Sequence, residues 1–342
     1  MQTGIWRKLL SLESRDLVQR KFKQIHGREL NARRAREITA STVQAREYFS
    51  NANRSDNSVK PLLLFYGVAS LSRSIVLLLK ADNGEESLLK GHGLETFEWK
   101  NTLQTDISKS LRNISSLTVR TCKGLFRDLI TSTENITCLH VYSSAVDWRL
   151  SYRIPDIGNI ISFGDILDRL PDLDYEYTNW VDRPPLYFRV GNLKFSEEEG
   201  LVGSICSPHQ ADAETLFASE GYEIKQMESS CVIKCSTELM QRNPPLFINS
   251  YLNKHFSSIP ILYLIKPFHE RLKYSQICIS YILAFMLGML ARYYPTHWMA
   301  LVRGEKGDAA WPAVNTSLSY VEQAYPELVW EFISDRIKNV QQ

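Results

Sequence analysis

The chain has 342 residues, of which 44 % are apolar and 23 % charged. This composition excludes a disordered or low-complexity chain and a fibrous repeat. The length allows a sizeable core, in one large domain or two closely packed ones. Net charge is only +2, yet residues 1–60 hold thirteen Lys/Arg against six acids, a surplus of seven that leaves −5 for the remainder.

The first fifty residues have few breakers and a scattered apolar pattern, which predicts helix, and "SNANRSDNSVK", residues 50–60, predicts a loop. The basic surplus lies in this region, with Arg33, Arg34 and Arg36 as its densest cluster. Such a segment either attracts the phosphates of a nucleic acid or docks on the acidic remainder of its own chain.

"PLLLFYGVASLSRSIVLLLK" then places Leu64, Val68, Leu71, Ile75 and Leu78 on one apolar seam, with apolar neighbours on the other faces. A helix buried nearly all round is expected, starting at Pro61, where the missing N–H costs nothing. Arg73 is its only charge before Leu79, so it is expected either in a buried structural ion pair or as a ligand contact. "KGHG", residues 90–93, reads as a glycine loop in which Lys90 and His92 are candidates for a phosphate or ligand contact.

From about residue 100 to 245 the texture is β-rich, with "SLTVRTC", "TCLHVYSS", "DWRLSYRI", "PLYFRVGNLKF" and "SCVIKCS" as strand candidates. One short helix, "SFGDILDRLPDL", starts at a Ser162 cap and stops near Pro171. No GxGxxG or Walker A loop occurs, so no nucleotide cofactor is expected. Cys206-x2-His209 and Cys231-x3-Cys235 contain four potential zinc ligands, but "CVIKC" reads as a strand, where residues four apart lie about 13 Å from each other. No metal is expected.

The last hundred residues return to helix. Residues 274–291 are eighteen uncharged residues, which the polar Ser275, Gln276 and Ser280 mark as a buried central helix rather than a membrane span. Helices at 295–302, 315–324 and 326–338 follow. Two apolar helices far apart in sequence each need the other's surface. The expected fold is therefore α+β and mainly helical, with residues 1–99 and 246–342 forming one helical core around a β-containing middle region, 100–245.

Four segments now carry a resemblance: "KPLLLFYGVASLSRSIVLLL" at 60–79, "GHGL" at 91–94, "SFGDILDRLPDL" at 162–173 and "YILAFMLGMLARYYPTHW" at 281–298. In this order they resemble the YaaC-like family of bacterial proteins. The resemblance implies a soluble bacterial protein in a stress or phage-defence setting and brings no catalytic residues. The family's last motif falls approximately on Arg292, Tyr293 and Trp298 and leaves His297 outside. More remotely, the first apolar helix resembles that of HEPN domains, helical bundles that often dimerise and sometimes cut RNA.

That second resemblance makes Arg292 and His297 a candidate catalytic pair, the arginine on phosphate and the histidine in proton transfer. Five residues are about 140° apart on an unbroken helix, but Pro295 breaks this one, so the two can approach. The alternative is a plain helix junction, with the arginine favoured at a helix C-terminus. Two functional classes are thus expected: an interaction or regulatory protein with a protein partner, or a HEPN-like ribonuclease. A cytoplasmic location fits six scattered cysteines and a start, "MQTGIWRKLL", without an apolar signal region. No membrane association is expected, and exposed apolar helix faces leave room for a homodimer.

Overall fold

The computed structural model describes residues 4–340 except 104, 105, 182, 208, 210, 211, 228, 229 and 257. Helix accounts for 55 % and strand for 20 %, so the fold is α+β and mainly helical.

The Lys60–Leu79 and Gln276–Tyr293 helices are the centre of the helical core. Phe65 packs edge-on against Tyr281 and Phe285, with ring centroids 6.1 and 5.4 Å away. Gly288 makes the approach steric rather than merely apolar: a Cβ there would lie 2.7 Å from the Phe65 Cβ. Gly67 does the same on another face of the first helix, where a Cβ would meet the Phe49 ring at 2.7 Å. Both helices are long and apolar enough to cross a membrane, and 67 % and 83 % of their apolar windows are buried inside the protein.

Around this pair stand Arg15–His26, Ala32–Arg54 and the 30-residue helix Trp311–Val340. Two boundaries differ from expectation. Ala32–Arg54 runs into the first five residues of the predicted 50–60 loop, because Phe49 and Ala52 are buried and hold the last turns in place. The helices expected at 315–324 and 326–338 are one, with Pro326 inside it; buried Tyr325, Leu328 and Val329 continue its packed face across the proline. Tertiary burial here outweighs a helix-breaking residue.

The N-terminus of the Gln276–Tyr293 helix enters a buried polar network. Asn135 Oδ1 accepts from the Ser275 amide at 2.7 Å, so the cap comes from a distant loop rather than from Ser275 itself. Gln276 donates to the Asn249 carbonyl at 2.6 Å and to the Tyr320 hydroxyl at 3.0 Å, and Ser280 shares that hydroxyl at 3.1 Å.

A three-stranded antiparallel sheet (His92–Phe97, Thr118–Gly124, Ile160–Ser162) lies against the helices, its first strand falling within the 1–99 part expected to be helical. A two-stranded pair, Ile136–Leu139 with Trp148–Ser151, leads to the larger sheet. That sheet is antiparallel, in the order Phe247–His255, Ile259–Ile265, Tyr187–Ser196, Gly200–Cys206, Cys231–Cys235, Glu223–Gln226. It has a core of its own, including Phe188, Leu201, Phe217, Ile233 and Phe247. The hairpin Phe247–His255 and Ile259–Ile265 lies beyond the boundary expected at residue 245 and completes this sheet, while Ile248, Tyr251 and Ile265 on it also pack into the helical core.

Candidate functional site

Tyr294 leaves the helical region at φ −128°, ψ 54°, and Pro295 opens the next helix, Pro295–Val302. Arg292 turns back to the first apolar helix, where its Nη1 donates to the Tyr66 hydroxyl at 2.9 Å, and its guanidinium lies 5.0 Å from the Tyr293 ring centre. His297 turns elsewhere. Its half-buried ring packs on Tyr294 at 6.0 Å, and its Nε2 is buried and, among the described residues, without a partner. Burial pulls its pKa down, opposed by a hydrogen bond to the Leu103 backbone. The two residues therefore address different neighbours. Trp298 is fully buried and donates Nε1 to the Asn57 carbonyl at 2.8 Å, which locks the junction to the N-terminal helices.

Arg292 is instead close to His92. His92 is the first residue of its strand, its ring sits 4.9 Å from Phe65 and 6.0 Å from Phe285, and its carbonyl accepts from Tyr281 Oη at 3.0 Å. Burial, and after it the charge of Arg292, lower the pKa of its imidazole, which favours the neutral ring at pH 7. The flanking glycines answer to sterics. Gly93 has φ 78°, and a Cβ there would lie 2.6 Å from the Phe126 amide nitrogen; Gly124 opposite has φ 146° and would meet the Gly93 amide nitrogen at 2.3 Å. Two backbones cross where only glycine fits.

Arg73 is exposed, not in a buried ion pair. The reason is that Leu62, Tyr66, Ala69 and Arg73, spaced four, three and four, form the one stripe of their helix that the core leaves partly open. From that stripe the Arg73 charge acts on the Tyr281 hydroxyl, the group that holds His92. Lys90 is exposed two residues before His92. Arg73, His92 and Arg292, from three distant segments, are thus linked through Tyr66 and Tyr281 where the two apolar helices meet, with Lys90 exposed in the loop that leads to His92. Among the described residues, none of the three cations has an ion-pair partner. The spacing of Tyr66 from Arg73 was the only trace of these links in sequence.

The N-terminal arginines do not form a common surface. Arg34 is buried, its terminal nitrogens donating to the carbonyls of Leu77 (3.1 Å), Lys80 (2.7 Å) and Ala81 (2.8 Å). It caps the end of the Lys60–Leu79 helix, and this inward direction corrects its expected place in a nucleic-acid contact. Arg33 is held by Glu37 at 2.9 Å and Glu86 at 2.7 Å. Only Arg36 stays exposed without an acid, on its own helix's Ala32 carbonyl. Lys23, Arg28, Arg46 and Lys60 pair with Glu29, Asp82, Glu13 and Glu322. Much of the basic surplus is spent within the protein.

The four residues weighed as zinc ligands do not gather in one cluster: His209 Nε2 lies 3.0 Å from Asp174 Oδ1, Cys206 faces the Arg189 carbonyl, and Cys231 and Cys235 stand on the neighbouring strand, with Cys231 opposite Ile205. Among the described residues no group of three or more His, Cys, Asp or Glu could hold a metal ion.

"SFGDILDRLPDL" is the joint between the two cores. Ser162 and Asp165 form a reciprocal capping box. Arg169, 3 % exposed, donates to the carbonyls of Lys266 (2.7 Å) and Pro267 (2.9 Å) beyond the sheet hairpin. Asp172 accepts from the amides of Tyr251 (2.8 Å), Leu252 (3.0 Å) and Asn253 (3.3 Å), and from the Ser250 hydroxyl, at the point where that hairpin's register shifts.

A family model described as YaaC-like Protein matches residues 10–333. The chain belongs to the YaaC-like family. No curated protein and no solved structure matches it. In this YaaC-like protein the four segments that carry the resemblance are the two central helices, the crossing at His92 and the joint at Arg169 and Asp172.

Proposed function

We propose that this YaaC-like protein is a non-catalytic interaction or regulatory protein of the bacterial cytoplasm, a sensor or accessory subunit of a stress or phage-defence system. Its contact face is the one formed by Arg73, Lys90, His92 and Arg292, and its partner is a protein with an acidic surface. The observation that supports this reading is Arg292 beside a histidine biased to the neutral form, with Arg73 acting on the tyrosine that holds that histidine's carbonyl and, among the described residues, neither arginine paired to a carboxylate. Unpaired cations on a rigid two-helix scaffold steer an oppositely charged partner and fix its register.

The divergence of Arg292 and His297 counts against the ribonuclease alternative, since acid–base work on one phosphodiester needs both groups within hydrogen-bond reach of it. The test is co-purification from the native host. Partner recovery is expected to be lost in the Arg73→Glu/Arg292→Glu variant and retained in His297→Ala. RNA cleavage by the purified protein that disappears in His297→Ala would replace this reading with the nuclease. Binding to RNA or DNA with a steep salt dependence would replace the protein partner with a nucleic acid.

A further inference from the structure

A second candidate site lies where the middle region meets the segment that leads into the Gln276–Tyr293 helix. A cavity of about 610 Å³ is bounded by the 152–159 segment, the Ser219–Gly221 turn, the end of the Thr237–Arg242 helix and the 270–273 segment. Its volume is that of a small-molecule site.

The floor is polar and already satisfied. Lys273, 6 % exposed, donates Nζ to Asn243 Oδ1 at 2.6 Å, to the Pro244 carbonyl at 2.7 Å and to Tyr222 Oη at 3.1 Å, with the buried Glu220 carboxylate 3.4 Å away. Lys273 and Glu220 cancel each other's charge. The rim is different. Arg153, Arg242 and Arg271 reach it from three separate elements, all exposed, and among the described residues none of their guanidinium groups has an ion pair or a hydrogen bond. Asp156 and Glu270 line the same cavity without pairing to them.

Arg271 is held there by an unusual backbone. Glu270 and Arg271 take φ values of 56° and 58°, two successive non-glycine residues in the left-handed region. Hydrogen bonds from the Phe268 amide to the Leu272 carbonyl (2.9 Å) and from the Leu272 amide to the His269 carbonyl (3.2 Å) pin the turn. Strain of this kind persists only where the surroundings impose it, and it concentrates at ligand-binding segments. Three unpaired arginines lining one cavity can present guanidinium forks, which match the oxygens of phosphate groups better than a diffuse field would. The two rim carboxylates leave the arginines a net positive charge, and because the three arginines belong to separate elements and none is paired, a ligand that engages them together offers more than one anionic group.

We infer that this cleft binds a small molecule bearing two or more phosphate groups, held by Arg153, Arg242 and Arg271 above the Lys273–Glu220 floor. The test is isothermal titration of the full chain with inorganic tripolyphosphate and, in a second arm, ATP. One-site binding is expected, weakened at least about tenfold in Arg153→Ala and in Arg271→Ala and unchanged in Arg36→Ala. These arginines are exposed, so the variants keep the fold, which circular dichroism checks. ATP binding more tightly than tripolyphosphate assigns a nucleotide; the reverse assigns an inorganic polyphosphate. No binding at about 1 mM of either ligand, binding indifferent to the arginine substitutions, or displacement of both ligands by a short RNA would overturn the assignment.

Discussion

At the scale of single residues, the most informative polar group in the interior is His140. It is 2 % exposed, its Nδ1 lies 3.3 Å from the Ser143 carbonyl, and its Nε2 lies 3.1 Å from Glu331 Oε1. Nδ1 lies on a carbonyl and Nε2 lies within ion-pair distance of a carboxylate without hydrogen-bond geometry, and the charge of that carboxylate favours the doubly protonated ring. Burial opposes that charge, but Glu331, Ser143 and Asp147 together outweigh it and raise the pKa above its ordinary value. A raised folded pKa means that the stabilisation is complete below the unfolded value of about 6.5 and is lost as pH rises through the folded one. The melting temperature of the wild type is therefore expected to fall across that window. In His140→Gln this part of the slope should vanish, and a melting series from pH 5 to 9 on both proteins checks it. Sequence alone did not mark His140, because its partner stands almost two hundred residues away on the last helix.

At the scale of elements, the contact between the two apolar helices depends on Gly288. A β-carbon there meets Phe65 at 2.7 Å and the Pro61 carbonyl at 3.4 Å, so the helices must separate or Phe65 must leave its rotamer. Gly288→Val is expected to destabilise by about 1–3 kcal/mol, read as a lower urea midpoint. Gly4→Ala, where nothing lies within 4 Å, should leave the midpoint nearly unchanged. The two helices were legible in sequence because their apolar seams are long and periodic. The Phe247–Ile265 hairpin was not legible: "FINSYLNKH" is buried over its first five residues without a clean alternation, and its register slips where Asp172 binds it. Pro326 misled for the opposite reason, since a local rule was overridden by packing that only the folded chain contains.

At the scale of the whole molecule, two apolar cores are joined by polar anchors rather than by a linker. Asp172 and Arg169 hold the sheet hairpin, and Gln276 and Asn249 exchange hydrogen bonds at 2.9 and 2.6 Å across the joint. Breaking either core would leave those buried groups unpaired, which couples the two energetically. Calorimetry is expected to show one cooperative transition; two resolved transitions would mean that the sheet melts alone. The candidate face was only partly legible at this scale. Arg73, His92 and Arg292 each stood out locally, but their meeting depends on the crossing of helices nearly two hundred residues apart. The cleft arginines gave no local signal at all.

The separation of the two central helices also bears on how the chain is made. About 200 residues are synthesised between Leu79 and Gln276. At 5–20 residues per second this leaves the first helix without its counterpart for about 10–40 s at the ribosome exit. A nascent segment of that length and greasiness is a ready client for chaperones or the targeting machinery until the second arrives.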